Sequence, residues 1–293
     1  MDIKSILNIS KELIKAKQTF LLLYTGVFAY LITLVEFSII FDGFDFLFLV
    51  LSLFLSISGT TSLNMYIDKD IDAIMERTKD RPIPSGRVSP TLALIYGFLL
   101  VCSGILIAFF ILDWLTGLVI FLGFFFDVII YSLISKRRTK YSIIFGGVAG
   151  GLPALAGRTV LLKAIDSLGI LFLGFILTWI PVHILTIALI PKNYEGYKKA
   201  QIPMWPVVTS EKKTMRIIAI GAFLSSLALY ECAQLLNANG VIRIIIAICC
   251  GVLIYFVIRD LIKPSNKLTF LIFKIASLYM IIGFLLLYLG VLF

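Results

Sequence analysis

Apolar runs of about 20 residues, separated by short polar stretches, recur along the whole chain, and an α-helix of about that length crosses the hydrocarbon core of a bilayer. Read against their charged flanks, the runs predict nine spans, near residues 19–40, 44–66, 91–112, 114–135, 143–163, 168–190, 217–236, 241–258 and 268–292. The third and fourth are separated only by a tight turn at Asp113 and Trp114. The expected fold class is all-α: a polytopic membrane protein of nine transmembrane helices, in a single domain over residues 1–293. A hydrophobic fraction of 60%, a charged fraction of 15% and a mean hydropathy of +1.04 exclude an ordinary soluble domain and a disordered chain. Cys102, Cys232, Cys249 and Cys250 sit inside apolar runs without metal-ligand spacing. That excludes a zinc-ribbon or disulfide-stapled scaffold and predicts buried, reduced thiols.

All but four of the 26 Lys and Arg fall at the N-terminus or in the second, fourth, sixth and eighth loops. Arg158, Lys163 and Arg243 lie on the other side, and Lys274 lies in the last span. The positive-inside rule makes the basic loops cytoplasmic, with the N-terminus inside the cell membrane and the C-terminus outside. The net charge of +9 therefore reads as topology and attraction to anionic membrane lipids, not as a nucleic-acid surface. Residues 1–18 have the lysines and apolar periodicity of an amphipathic interfacial helix. They do not read as a cleavable signal, because the apolar run that follows is long enough to span. The two long loops, 67–90 and 191–216, are both on the basic side and are expected to form the active site.

The densest chemistry lies where the second span runs into its loop. Asn64, Asp68 and Asp72 recur every four residues. If the helix continues, each lies about 40° around and about 6 Å along from the last, so three oxygen ligands share one face. Two carboxylates and an amide in a row suit Mg²⁺, which keeps several waters and takes further ligands from substrate phosphates. Like charges at i,i+4 destabilise an empty helix, which favours a bound cation. Asp70 points elsewhere, and a calcium loop starting at Asp68 fails, because position 6 is Ala73 and position 12 is Lys79. A solvated helix end neutralised by Lys69, Arg77 and Lys79 is the simplest alternative. Against it, the acids begin where the apolar span stops, and ionisable groups so close to the membrane are costly unless they serve a site. Arg77, Lys79 and Arg81 are interleaved with the acids, and carboxylate, Mg²⁺ and guanidinium together describe a diphosphate cradle. Pro82 and Pro84 are expected to end the helix and turn the chain back over it.

The string Asn64-x-x-x-Asp68-x-x-x-Asp72, continued by Glu76-Arg77-Thr78 and Arg81-Pro82-Ile83-Pro84-Ser85-Gly86-Arg87, resembles the first aspartate-rich motif of the UbiA superfamily of intramembrane prenyltransferases. The resemblance implies nine helices around a central cavity. It also implies Mg²⁺-assisted loss of diphosphate from an allylic isoprenyl diphosphate, and attack of a hydrophobic acceptor (haem, an aromatic or a lipid) on the carbocation. Two further segments are most similar to the protoheme IX farnesyltransferase branch. One is Tyr131-Ser-Leu-Ile-Ser-Lys136-Arg137-Arg138-Thr139; the other is Trp179-Ile-Pro181-Val-His183, followed by Tyr197-Lys198-Lys199-Ala200. On this resemblance Asn64, Asp68 and Asp72 hold the metal, and Asp68, Asp72, Arg77, Arg81 and Lys136 activate the diphosphate. Asn64, Lys79, Tyr131, Trp179, His183, Lys192, Glu195 and Tyr197 contact substrate. The chain departs from the branch at Arg158, where Trp is usual, and at Val182, where a second Pro is usual. The first half of its sixth loop offers Glu195 as its only acid, where other branches carry a second pair of aspartates.

His183 is the only histidine and falls inside a span one turn after Trp179, so the two face the same way. An intramembrane histidine marks a functional site by default, and here it is expected to meet the acceptor. Pro181 frees a backbone carbonyl and is expected to kink the sixth span near the cavity. Phe124, Phe125 and Phe126 read chiefly as lipid-facing or core residues, and Gly146, Gly147, Gly150, Gly151 and Gly157 as close helix packing. An ion-coupled transporter would instead place acids near the bilayer midplane and interrupt paired helices.

Overall fold

The computed structural model describes the backbone of residues 3–293 and the side chains of residues 8–293. The helices run α1 (Ile3–Leu13), α2 (Ala16–Glu36), α3 (Gly43–Ile67), α4 (Lys69–Ile74), α5 (Pro90–Leu112), α6 (Trp114–Ser135), α7 (Ser142–Leu162) and α8 (Ser167–Leu189). They continue as α9 (Pro191–Lys199), α10 (Trp205–Val208), α11 (Glu211–Leu235), α12 (Gly240–Ile262) and α13 (Asn266–Leu292). Among the described residues, nine helices are long and apolar enough to cross a membrane: α2, α3, α5, α6, α7, α8, α11, α12 and α13. The end of α5, Ala108–Leu112, and the second half of α6, Phe125–Ser135, are wound as π-helix.

Helix starts follow local chemistry. Asp42, Ser89, Asp113, Asp166, Ser210 and Asn239 each accept a hydrogen bond from a backbone N–H in the first turn that follows, satisfying donors that a helix leaves unpaired. Close crossings use small residues. A methyl group built on Gly26 would lie 2.9 Å from the Pro153 carbonyl oxygen, and one on Gly151 would lie 2.8 Å from that of Leu173. The glycines of α7 therefore pack as expected, except that Gly146 and Gly150 also line a cavity. Helix α8 runs unbroken through Pro181.

At the end of the bundle away from the carboxylate row, buried Arg158 ties three segments together. Its Nη1 donates to Glu36 Oε2 at 2.6 Å and to Thr33 Oγ1 at 3.1 Å, while its Nε and Nη2 donate to Asp166 at 2.7 and 2.6 Å. Arg158 is thus an interhelical clamp.

Two expectations need correction. Residues 3–18 do not form one helix: the chain breaks at Lys15, whose φ of 45° is left-handed. Helix α1 docks through Ile9 and Leu13 against Met65, Ile83, Val88 and Ala93, and Glu12 pairs with Arg87 at 2.6 Å. Met1 and Asp2 of the expected interfacial segment lie outside the described residues. The extension of α3 also stops well before Pro82. It ends at Ile74, where Thr78 Oγ1 donates to the Asp72 carbonyl at 3.0 Å and a series of turns takes over. Gly86, at φ 74°, completes the reversal that folds this loop back on α3.

Candidate active site

The row of acids survives a bend. Asp68 has left helical geometry (φ −91°, ψ 7°). Even so, its N–H donates to the Asn64 carbonyl at 2.9 Å, and the Asp72 N–H donates to the Asp68 carbonyl at 2.7 Å. Asn64, Asp68 and Asp72 are 7%, 4% and 3% exposed. Each carboxylate has drawn a cation from a different part of the chain. The returning loop brings Arg81 Nη1 to both oxygens of Asp72, at 2.8 and 2.7 Å. Lys136, at the end of α6, pairs with Asp68 Oδ2 and sits over the Tyr131 ring, 5.6 Å from its centroid. Burial works against the Lys136 charge, but Tyr131 and Asp68 outweigh it and hold the ammonium above its ordinary range. Asp70 points away, as its position on the helix requires. It pairs with Arg137 at 2.7 and 2.6 Å, which holds its carboxyl down at about 2.

Three groups that the sequence did not single out complete this cluster. Asp127 Oδ2 accepts a hydrogen bond from Asn64 Nδ2 at 2.9 Å, and Ser132 Oγ donates to Asn64 Oδ1 at 2.8 Å. Lys15, in the turn before α2, is half-buried close to the same charges. Burial, with Arg81 and Lys136 adding repulsion against the pull of Asp68 and Asp72, brings its amine down to about 8. A lone acid in an apolar span was the available signal for Asp127; nothing in the sequence marked Lys15 apart from other N-terminal lysines.

Asp68 Oδ1 is buried with no hydrogen-bond partner. An orphaned carboxylate oxygen in line with Asn64 and Asp72 offers hard-oxygen donors with a vacant valence, which fits Mg²⁺. Among the described residues no three His, Cys, Asp or Glu side chains close around an ion. Phosphate and water would have to complete the coordination, as is usual for this cation.

Beside the cluster lies a cavity of about 580 Å³. Lys17, Gln18, Arg77, Asp127 and Tyr197 line its polar part; Val119, Ile120, Phe124, Leu152, Trp179, His183 and Phe273 line the remainder. His183 is stacked between Trp179 and Phe273, with centroids 4.7 Å away on each side, and its Nδ1 is 3.3 Å from Ser277 Oγ. Trp179 is fixed by donating its Nε1 hydrogen to the Ala276 carbonyl at 2.7 Å. Asn64 and Tyr131 belong to the charged cluster rather than to the cavity lining, and three further expected contact residues, Lys79, Lys192 and Glu195, are brought to neither. Lys79 lies 2.8 Å from exposed Glu76 and Lys192 lies 4.0 Å from it, while Glu195 faces a separate cleft with Tyr194 and Glu211. They project from the outer sides of the two loops, whose inner sides carry Arg81 and Tyr197.

Residues 22–291 match the UbiA prenyltransferase family. The chain belongs to that family. This UbiA protein is therefore a prenyltransferase and a multi-pass membrane protein. It is 35% identical over 285 residues to the protoheme IX farnesyltransferase of Archaeoglobus fulgidus, an alignment covering 96% of each chain. Its fold is similar to that of a solved digeranylgeranylglyceryl phosphate synthase, with a TM-score of 0.79, 20% identity and coverage of 97% and 98% of the two chains. It is also similar to a UbiA homologue from Archaeoglobus fulgidus solved bound to GPP and Mg²⁺, with a TM-score of 0.68, 15% identity and coverage of 95% and 99%.

Proposed function

We propose that this UbiA protein ionises farnesyl diphosphate with the help of Mg²⁺ and transfers the farnesyl group to protohaem. The observation that carries the acceptor is His183. Its ring is stacked in the cavity wall and its Nδ1 is engaged by Ser277, while among the described residues no protein group bonds its Nε2. An imidazole nitrogen left available at an apolar cavity suits an iron porphyrin. The relative named as a protoheme IX farnesyltransferase supports the same reading.

In this reading Mg²⁺ held by Asn64, Asp68 and Asp72 would supply Lewis-acid stabilisation of the departing diphosphate. Arg81 and Lys136, already drawn to the acids, take up charge that develops on the bridging oxygen, and Arg77 at the cavity lining adds a third cation. The prenyl chain lies along the apolar wall, where exclusion of water protects the carbocation and Phe124 offers a π face. The whole chain forms one transferase domain, with residues 67–90 and 191–216 as cytoplasmic loops, the N-terminus inside the cell and the C-terminus outside. The asymmetry of basic loops supports this orientation. Labelling of single cysteines placed in the two loops checks it: access from the outer side would refute it.

The test of function is incubation of purified protein with Mg²⁺, farnesyl diphosphate and haem, and identification of the product by mass. The expected product is a farnesylated haem. Haem should also give a Soret shift that His183→Ala weakens, while Mg²⁺-dependent diphosphate release persists in that variant. No spectral change with haem, together with prenylation of an aromatic acid or a glycerol-phosphate lipid, would overturn the acceptor.

A further inference from the structure

We propose that Asp127 and Ser132 are positioning residues for the transferase, clamping the Asn64 side chain so that its amide oxygen stays turned toward the diphosphate end of the site. The inference rests on the reading of Asn64, Asp68 and Asp72 as the metal row. Asp127 and Ser132 are five residues apart in the π-wound part of α6. On a regular α-helix that spacing would separate them by about 140° around the axis, and one amide could not touch both. The π-helix closes its hydrogen bonds from i to i+5, as in the bond from the Lys136 N–H to the Tyr131 carbonyl at 2.8 Å, and so brings residues five apart onto one face. The same winding stacks Lys136 over Tyr131 and delivers the ammonium to Asp68. One local distortion therefore aligns both pairs against α3.

The orientation of the clamp follows from hydrogen-bond chemistry. The Asn64 NH₂ donates to Asp127, and an ionised Asp127, which can only accept, holds the amide in that orientation. A hydroxyl can donate or accept, so Ser132 conforms and donates to the oxygen. Helices α3 and α6 run in the same direction, and Ser132 is nearer than Asp127 to the end of α6, where Lys136 meets Asp68. The amide oxygen thus faces the same end as the acids. Having two lone pairs, it keeps one for a ligand after Ser132 has taken the other. Asp127 also lines the cavity, and among the described residues no cation pairs with it. Its visible partner is Asn64.

Asp127→Asn removes this constraint, because an amide at 127 can donate or accept and lets Asn64 turn over. The experiment is equilibrium dialysis of Mn²⁺ with inorganic diphosphate against the full-length protein in detergent, which needs no turnover. Asp127→Asn is expected to weaken Mn²⁺ retention about tenfold, the scale of one hydrogen bond to a charged group. Ser132→Ala should weaken it less. The exchange Asn64→Asp with Asp127→Asn keeps the charge and hydrogen bond but presents an oxygen whichever way residue 64 turns, so it should restore wild-type retention. Unchanged retention in Asp127→Asn, or an exchanged variant as weak as Asp127→Asn alone, would overturn the proposal. A wild type that retains no Mn²⁺ with diphosphate would overturn the metal row itself, and this inference with it.

Discussion

Replacing Lys136 with Met keeps the length of the side chain and removes the cation facing Asp68. The two side chains are 15% and 6% exposed, and the second Asp68 oxygen already lacks a partner. Breaking a buried pair while leaving one charge behind costs about 3–5 kcal/mol. The single variant should lose stability on that scale. Adding Asp68→Asn removes the stranded charge, and the double variant should return to within about 1–2 kcal/mol of wild type, because an intact buried ion pair contributes little net stability. Activity should not return with it. Both variants lack the ammonium that stabilises the leaving diphosphate, so each should fall about 100- to 1,000-fold in kcat, the scale of losing one preorganised electrostatic contact. Reversible unfolding by SDS in mixed micelles measures the first quantity, and diphosphate release from farnesyl diphosphate the second. A double variant no more stable than the single one, or activity that tracks stability across the set, would overturn this role for Lys136.

Arg158→Leu strands Glu36 and Asp166, but these carboxylates are 22% and 32% exposed. The expected loss is therefore about 1–3 kcal/mol, below the cost for a fully buried pair, with turnover per folded molecule unchanged; lost turnover at full occupancy of the fold would contradict a purely structural clamp. Lys15 predicts a pH effect of defined sign. Its amine titrates near 8 in the folded state, against 10.5 as the ordinary value. Between those values the unfolded chain binds more protons, so stability should rise with pH across that window. Lys15→Met should flatten the rise, and an unchanged slope would place the effect elsewhere.

The spans were legible because hydropathy and charge report the bilayer directly: 114–135 and 91–112 lie within a residue of the helices observed. The seventh span, α11, starts earlier than its apolar run because Glu211 to Arg216 form polar turns behind the Ser210 cap. The acid row was legible because i,i+4 spacing survives the bend at Asp68. Asp127 was hidden by the same averaging that found the spans, since one acid barely changes the hydropathy of the run around it. Its pairing with Ser132 was also hidden, because a five-residue offset joins side chains only in π-winding, which residue periodicity does not announce. The early end of α4 depends on Thr78 reaching back to the Asp72 carbonyl, a tertiary choice that preceded the proline signal.

In the mechanism proposed above, buried Asp68, between α3 and α4, and Asp72, in α4, drive ionisation of the prenyl diphosphate. The most direct test is release of diphosphate from farnesyl diphosphate with Mg²⁺, comparing wild type with Asp68→Asn and Asp72→Asn. A loss of at least about 100-fold is expected in each variant, with abolition by EDTA in the wild type. Wild-type release rates in both variants, or in the presence of EDTA, would contradict this mechanism.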